Sequence, residues 1–349
     1  MIRGINSLRR IIVAPLLLGA ATFAASPAAA VDFDGDGSED IAVYRPSFGE
    51  HYFIASGEGP LGFGFQWGLN GDTPVSGNFS TATHADIAVW RPAAPTATGV
   101  WYIRYDSANN YLYSSANSFA WGLPSDIPQA CKRDAADMFN DLIVWRPSNG
   151  TWYTRLSGGS GSDVGGAYST SEQQQWGLSN DTPVAADYDN DGRCDYAIFR
   201  ESASTGQATW YIVLSGSGSG SDTAATIPFG LNGDIPVPGD YDGDGQIDLA
   251  VWRPSSGHWL IRPSSVSQGS LENWIRVYQW GLSGDAPVPM DYDGDGITDL
   301  VVYRENDVTS PGFPVWYIRK SPSNFGSAEA QQWGLTNDVA YGDRPGSTN

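Results

Sequence analysis

Histidine, methionine and cysteine are nearly missing from this 349-residue chain, which holds three, three and two of them. His51, His84 and His258 stand in unlike contexts and share no zinc-ligand spacing, so a zinc centre is excluded. Two cysteines, Cys131 and Cys194, cannot make a disulfide-dense scaffold. Basic residues are scarce as well: 19 Lys and Arg stand against 39 Asp and Glu, for a net charge of −20. A surface that acidic argues against nucleic acid and anionic membranes as partners. Beyond the first thirty residues no apolar run is long enough to span a bilayer. There is no Gly-x-Ser-x-Gly elbow, no phosphate-cradling glycine loop before a helix, and no convincing helical period.

What the chain does have begins with a leader. Arg3, Arg9 and Arg10 give a charged start, Ile11 to Ala25 an apolar middle, and Ala28-Ala29-Ala30 a small-residue cleavage site. Residues 1–30 therefore read as an export signal by general secretion, leaving a periplasmic or extracellular protein of net charge −23. In an oxidising compartment Cys131 and Cys194 can pair, or remain two free thiols.

One acidic phrase recurs four times, each time followed by an apolar segment. The copies place carboxylates at positions 1, 3, 5 and 9: Asp32, Asp34, Asp36 and Asp40; Asp187, Asp189, Asp191 and Asp195; Asp240, Asp242, Asp244 and Asp248; Asp291, Asp293, Asp295 and Asp299. Like charges packed so closely repel unless a cation sits among them. Hard oxygen donors on a flexible glycine-rich loop suit calcium better than magnesium or zinc. About four calcium ions are expected, with a backbone carbonyl at position 7 and water completing each shell. An EF-hand would need Glu at position 12 and flanking helices. Position 12 is Val43, Ile198, Val251 or Val302, and the segments around it are β-branched and aromatic, so that reading fails.

Two further phrases set a period. Trp67-Gly, Trp121-Gly, Trp176-Gly, Phe229-Gly, Trp280-Gly and Trp333-Gly are 54, 55, 53, 51 and 53 residues apart. Arg45, Arg91, Arg146, Arg200, Arg253 and Arg304 end another segment at the same step. Six units of about fifty-three residues cover 31–349, and such a period means a propeller or a solenoid. Each unit divides into four short strands joined by turns, which describes a propeller blade. The expectation is an all-β, six-bladed propeller forming one domain over residues 31–349. The first unit lacks a leading strand, while Asn337 to Asp343 resembles one, so the C-terminal strand is expected to complete the first blade and close the ring.

Asp-x-Asp-Gly-Asp-Gly-x-x-Asp before an apolar strand, with an aromatic-Gly pair per unit, resembles the FG-GAP or VCBS repeats of bacterial secreted proteins and integrin α-chains. The resemblance implies a β-propeller with calcium held between the first two strands of a blade. Integrin-type propellers have seven blades, the alternative to the six counted here. Units two (Asn78 to Asp86) and three (Cys131 to Asp141) depart from the acidic pattern and receive no metal. A disulfide between Cys131 and Cys194 would pin unit three in its place.

Recurrence favours packing over ligand contact for Trp67, Trp121, Trp176, Trp280 and Trp333, and a scaffold role for the six arginines, bonding strand-end carbonyls or loop carboxylates. Tyr111, Tyr113 and Trp274 do not recur and are better ligand candidates. Function is expected to be binding: a monomeric adhesion scaffold for an extracellular glycan or protein. The rival is a polysaccharide-active enzyme on the same scaffold.

Overall fold

The computed structural model describes residues 31–56, 62–80, 85–93, 97–105, 115–134, 139–158, 168, 170–216, 223–265, 275–321 and 325–341. The expected signal peptide, His84, Tyr111, Tyr113, Trp274 and most of two Gly-Ser tracts (157–166 and 215–221) lie outside them. Six four-stranded antiparallel sheets make six blades, as the repeat count requires, and no α-helix occurs among the described residues.

Blade two runs through β4 (Thr73–Gly77), β5 (Asp86–Arg91), β6 (Val100–Tyr105) and β7 (Ser115–Ala120). Blade three has β8 (Ile127–Cys131), β9 (Asp141–Arg146), β10 (Thr151–Leu156) and β11 (Thr170–Gln175). Blade four has β12 (Thr182–Pro183), β13 (Tyr196–Glu201), β14 (Gln207–Leu214) and β15 (Thr223–Leu231). Blade five has β16 (Ile235–Pro236), β17 (Leu249–Arg253), β18 (His258–Arg262) and β19 (Arg276–Gln279). Blade six has β20 (Ala286–Pro287), β21 (Leu300–Arg304), β22 (Val315–Lys320) and β23 (Ser327–Gln332). In all five the sheet follows chain order.

Blade one breaks that order. Its sheet reads β24 (Val339–Ala340), β1 (Ile41–Arg45), β2 (Glu50–Ile54) and β3 (Gly62–Gln66). Val43 pairs with Ala340 and Tyr44 with Val339, so the end of the chain supplies the missing strand. The ring is closed in its packing too. Six apolar clusters fill the six blade boundaries, and one joins Val301, Trp316 and Ile318 of blade six to Ile41 and Val43 of blade one.

Second strands carry the core. Leu-Ala-Val-Trp at β17 is buried at all four positions, because each face of a blade meets a neighbour. Fourth strands are largely exposed and form the rim, whereas the first strands β4 and β8 of adjacent blades lie together near the axis. With antiparallel strands, the loops from first to second strand share one face of the disc. The turns from second to third strand, and from fourth strand to the next blade, share the other.

On that second face the six recurring arginines find a partner that the sequence reading did not name. Each forks through Nε and Nη2 onto an aspartate three residues beyond a Gly-Leu pair: Arg45 on Asp338, Arg91 on Asp72, Arg146 on Asp126, Arg200 on Asp181, Arg253 on Asp234 and Arg304 on Asp285. The acceptor is neither a strand-end carbonyl nor an acidic-loop carboxylate. The same aspartate takes a leucine N–H, as Asp72 does from Leu69 at 2.8 Å, so one side chain closes the turn and anchors the arginine. In five blades the guanidinium also lies over a tyrosine of the third strand, at 4.1–4.4 Å. Blade five has Leu260 at that position.

The Trp-Gly tryptophans bind blade to blade. The indoles of Trp67, Trp121, Trp176 and Trp280 donate to the carbonyls of Tyr102, Tyr153, Tyr211 and Tyr317 in the next blade. Trp333, at the closing boundary, instead covers Gly62 so closely that a side chain there would overlap its ring. These contacts give the repeated aromatics their scaffold role.

Candidate metal centres

The four acidic loops fall in blades one, four, five and six, which are consecutive around the ring. Each has a left-handed residue at positions 4 and 6. Position 4 is Gly35, Asn190, Gly243 or Gly294, with φ of 59–76°, and position 6 is Gly37, Gly192, Gly245 or Gly296, with φ of 80–92°. L side chains resist that conformation, with Asn the usual exception, so the alternation of Asp with Gly or Asn is a backbone requirement. The resulting coil brings the carboxylates of positions 1 and 3 together in every loop.

Position 1 holds the coil together. Asp240 accepts from Gly243 N at 2.7 Å and Gly245 N at 2.8 Å, Asp32 and Asp291 make equivalent bonds, and Asp187 accepts from Asp191 N and Gly192 N. Position 9 has another task. Asp248 Oδ2 accepts from Tyr241 N at 3.0 Å and its Oδ1 from Ser264 N at 2.6 Å, tying the loop to the end of the third strand. Asp40, Asp195 and Asp299 repeat this. The blades without acidic loops keep it as well. Asp141 accepts from Arg133 N and Ser157 N, and Asp86 from Phe79 N. The ninth aspartate is thus a clamp in five blades and keeps its loop bond in blade two. In blades four and five it is also a member of the carboxylate triad.

Three ligand oxygens come within 4.8 Å of one another in each acidic loop. Asp32, Asp34 and Asp36 meet in blade one, and Asp291, Asp293 and Asp295 in blade six. In blades four and five the triads are Asp187, Asp189 and Asp195, and Asp240, Asp242 and Asp248. The structure therefore brings twelve of the sixteen expected aspartates into triads. It leaves Asp40 and Asp299 as clamps alone, and Asp191 and Asp244 outside the triads.

The electrostatics of these loops are those of an uncompensated site. Burial raises Asp34 to about 6, with Asp36 and Asp32 adding repulsion. Asp40 is pushed up to about 8, and Asp195, Asp248 and Asp299 to about 7, because desolvation outweighs the two backbone amides each accepts. Asp189, Asp291 and Asp293 are raised for the same cause. Most telling, Oδ1 of Asp242 and of Asp293 is buried without any hydrogen bond. A buried carboxylate oxygen with no donor is costly, and both belong to third-position aspartates of the triads. An all-oxygen donor set that includes an unsatisfied carboxylate fits a hard divalent cation.

Serine is the component that sequence reading missed. Ser56, Ser215, Ser264 and Ser321 each donate N–H to the ninth aspartate and Oγ–H to the fifth. Turn lengths vary between the second and third strands, so these serines fall 16, 20, 16 and 22 residues after their aspartates and show no fixed spacing. Their position after the third strand was the available signal. Ser264→Ala should keep the backbone bond and release Asp244, weakening the blade-five site about tenfold, as outer-shell changes do. Calcium titration of that variant checks this; an unchanged affinity would make the hydroxyl incidental.

Where blade three lacks the acids, other bonds serve. Cys131 and Cys194 form a disulfide with Cα atoms 5.9 Å apart, fastening the third loop to the fourth. Lys132 occupies position 1, and Arg133 reaches across to donate to the Cys194 carbonyl at 2.7 Å and Glu172 at 2.9 Å. On the opposite face a cleft of about 700 Å³ opens between blades three and four, with Asn149, Gln175, Leu178, Asn180 and Glu201 in its lining.

Residues 187–251 and 240–302 match the FG-GAP-like repeat. The chain thus carries FG-GAP-like repeats from the blade-four acidic loop to the second strand of blade six, within a six-bladed β-propeller. No curated protein matches the chain. Among solved structures, a triple arginine-to-alanine mutant of AofleA from Arthrobotrys oligospora is similar at a TM-score of 0.49 and 11% identity, over 87% of this chain and 89% of that one.

Proposed function

We propose that this protein is a secreted, calcium-stabilised propeller that works by binding, presenting a rigid disc to an extracellular glycan or protein. The orphaned, buried Oδ1 atoms of Asp242 and Asp293 carry the metal half of that reading. The carboxylates of positions 1, 3 and 5, or 1, 3 and 9, would hold the ions, and the cation's charge would keep those groups ionised. Export is supported by the leader-like first thirty residues and by the Cys131–Cys194 disulfide, a bond of oxidising compartments. No helix among the described residues is long and apolar enough to cross a membrane.

The binding half rests on the division of labour among the carboxylates. Six turn aspartates are locked to arginines, and the loop aspartates are committed to clamps and triads, so most aspartates among the described residues already serve the scaffold. The cleft between blades three and four offers side-chain amides, the Glu201 carboxylate and one leucine, groups that suit a polyhydroxylated ligand. A glycan array in calcium buffer, run beside a polysaccharide-degradation screen, tests the proposal. Retention of defined glycans without turnover is the expected result, whereas turnover of a polysaccharide would establish the enzymatic alternative.

A further inference from the structure

The acidic loops are not separate from one another. The position-1 carbonyl of one loop accepts the position-8 N–H of the next blade at five of the six boundaries. Asp240 O takes Thr298 N at 2.6 Å, Asp291 O takes Glu39 N at 2.8 Å, Asp32 O takes Ala85 N at 2.6 Å, Asn78 O takes Asn140 N at 2.6 Å and Lys132 O takes Cys194 N at 2.6 Å. At the remaining boundary Gln246 Nε2 donates to Tyr188 O of the blade-four loop. Blades six and one are joined twice, since Glu39 Oε2 accepts Asp291 N at 2.9 Å. A side chain on Gly243 would press on Ile297 of the blade-six loop, and one on Gly294 would overlap Ser38 of the blade-one loop.

Between blades five and six, and between six and one, the shared bond joins two acidic loops at places that matter for metal. Position 1 supplies both a triad carboxylate and the carbonyl that fixes the neighbour. Position 8 directly precedes the ninth aspartate, which closes the neighbour's own loop. A cation that draws in the Asp291 carboxylate therefore also sets the peptide holding Glu39 and Asp40. The next ion meets a loop whose ordering has partly been done. Charge works the other way, because a filled loop attracts a neighbouring cation less. Four carboxylates and one divalent ion still leave a net negative loop, however, and salt at 0.15 M screens beyond roughly 8 Å.

We infer that blades four, five, six and one bind calcium as one coupled arc, in which filling one loop raises the affinity of the next. This rests on the calcium reading above, and the test separates the two. Metal-free full-length protein is titrated with calcium by calorimetry in 0.15 M salt, as wild type, Asp293→Ala and Gln246→Ala. Asp293→Ala removes the triad carboxylate whose Oδ1 has no hydrogen-bond partner, and Gln246→Ala keeps every carboxylate and the Gln246 N–H bond to Asp244. Wild type is expected to take up four equivalents with a Hill coefficient above one. Asp293→Ala should lose one equivalent and bind the other three at least about fivefold more weakly, the low end of ordinary coupling. Gln246→Ala should keep four equivalents and titrate less steeply, and it decides the matter if Asp293→Ala does not fold. Four independent sites in wild type, or unchanged affinities in both variants, would overturn the coupling and leave calcium binding intact. No uptake by wild type would overturn both.

Discussion

Excess chelator should lower the melting temperature of the calcium-loaded protein by about 15 °C. A ligand present at a hundred times its dissociation constant stabilises by about 2.7 kcal/mol per site, and four sites together approach the whole net stability of an ordinary domain. Spread over a chain of this size, that free energy corresponds to roughly 1.5 °C per kcal/mol. The effect also has a sign in pH. Without metal, Asp40, Asp195, Asp248 and Asp299 have folded-state values of about 7 to 8 against 3.8 for a free aspartate. The folded chain therefore binds protons that the unfolded chain does not, and the metal-free protein gains stability as pH falls through 8 and 7. Calcium requires the triad members Asp195 and Asp248 ionised, so its contribution in blades four and five shrinks over the same range. The window should stop near pH 6.5. Below it His51, buried and held down to about 4, costs stability as the unfolded chain protonates first. Melting curves at pH 8 and 6.5, with and without chelator, should show a larger chelator penalty at pH 8. A penalty that grows as pH falls would contradict the assignment.

Truncation after Leu335 should abolish the cooperative fold. It removes β24, the inner strand of blade one, and exposes the edge of β1 with the boundary cluster around Ile41 and Val43. It also takes away Asp338, the bidentate partner of Arg45, and Tyr341, whose hydroxyl bonds the Nδ1 of buried His51. Nε2 of that ring faces the Trp67 carbonyl and must donate, so Nδ1 accepts from the tyrosine and loses its only donor. An open, unpaired strand edge then invites association. The milder Asp338→Ala should cost on the order of 2–3 kcal/mol, below the range for a fully buried pair because Arg45 keeps some exposure. Size-exclusion chromatography and thermal melts read both variants. A truncated chain that stays monomeric with an unchanged melting curve would mean that the ring does not depend on its closing strand.

Much of this architecture is legible in the residues because each repeat states its own constraints. Gly or Asn at loop positions 4 and 6 announces left-handed backbone, and Leu-Ala-Val-Trp announces a strand buried on both faces. The closing strand could be foreseen because blade one lacks its first strand and the Asn337 segment repeats it. What escaped was contact between segments with variable spacing. Ser264 and its counterparts look like ordinary linker serines until a sheet returns them to the loops. Asp72 and its five counterparts look like turn formers, and only the fold shows each taking an arginine fork. The ninth aspartate was assigned to metal from its register. Its persistence as Asp86 and Asp141, in loops without the other acids, reveals the clamp role, and that comparison needs the hydrogen bonds.

The central claim is that the acidic loops of blades one, four, five and six exist to hold calcium. Counting calcium per chain by native mass spectrometry, after exchange into calcium buffer and again after mutation of Asp242 and Asp293 to Ala, tests it most directly. Four ions in the wild type and two in the double variant are predicted. A folded protein that carries none, or the same number in both, would contradict the account.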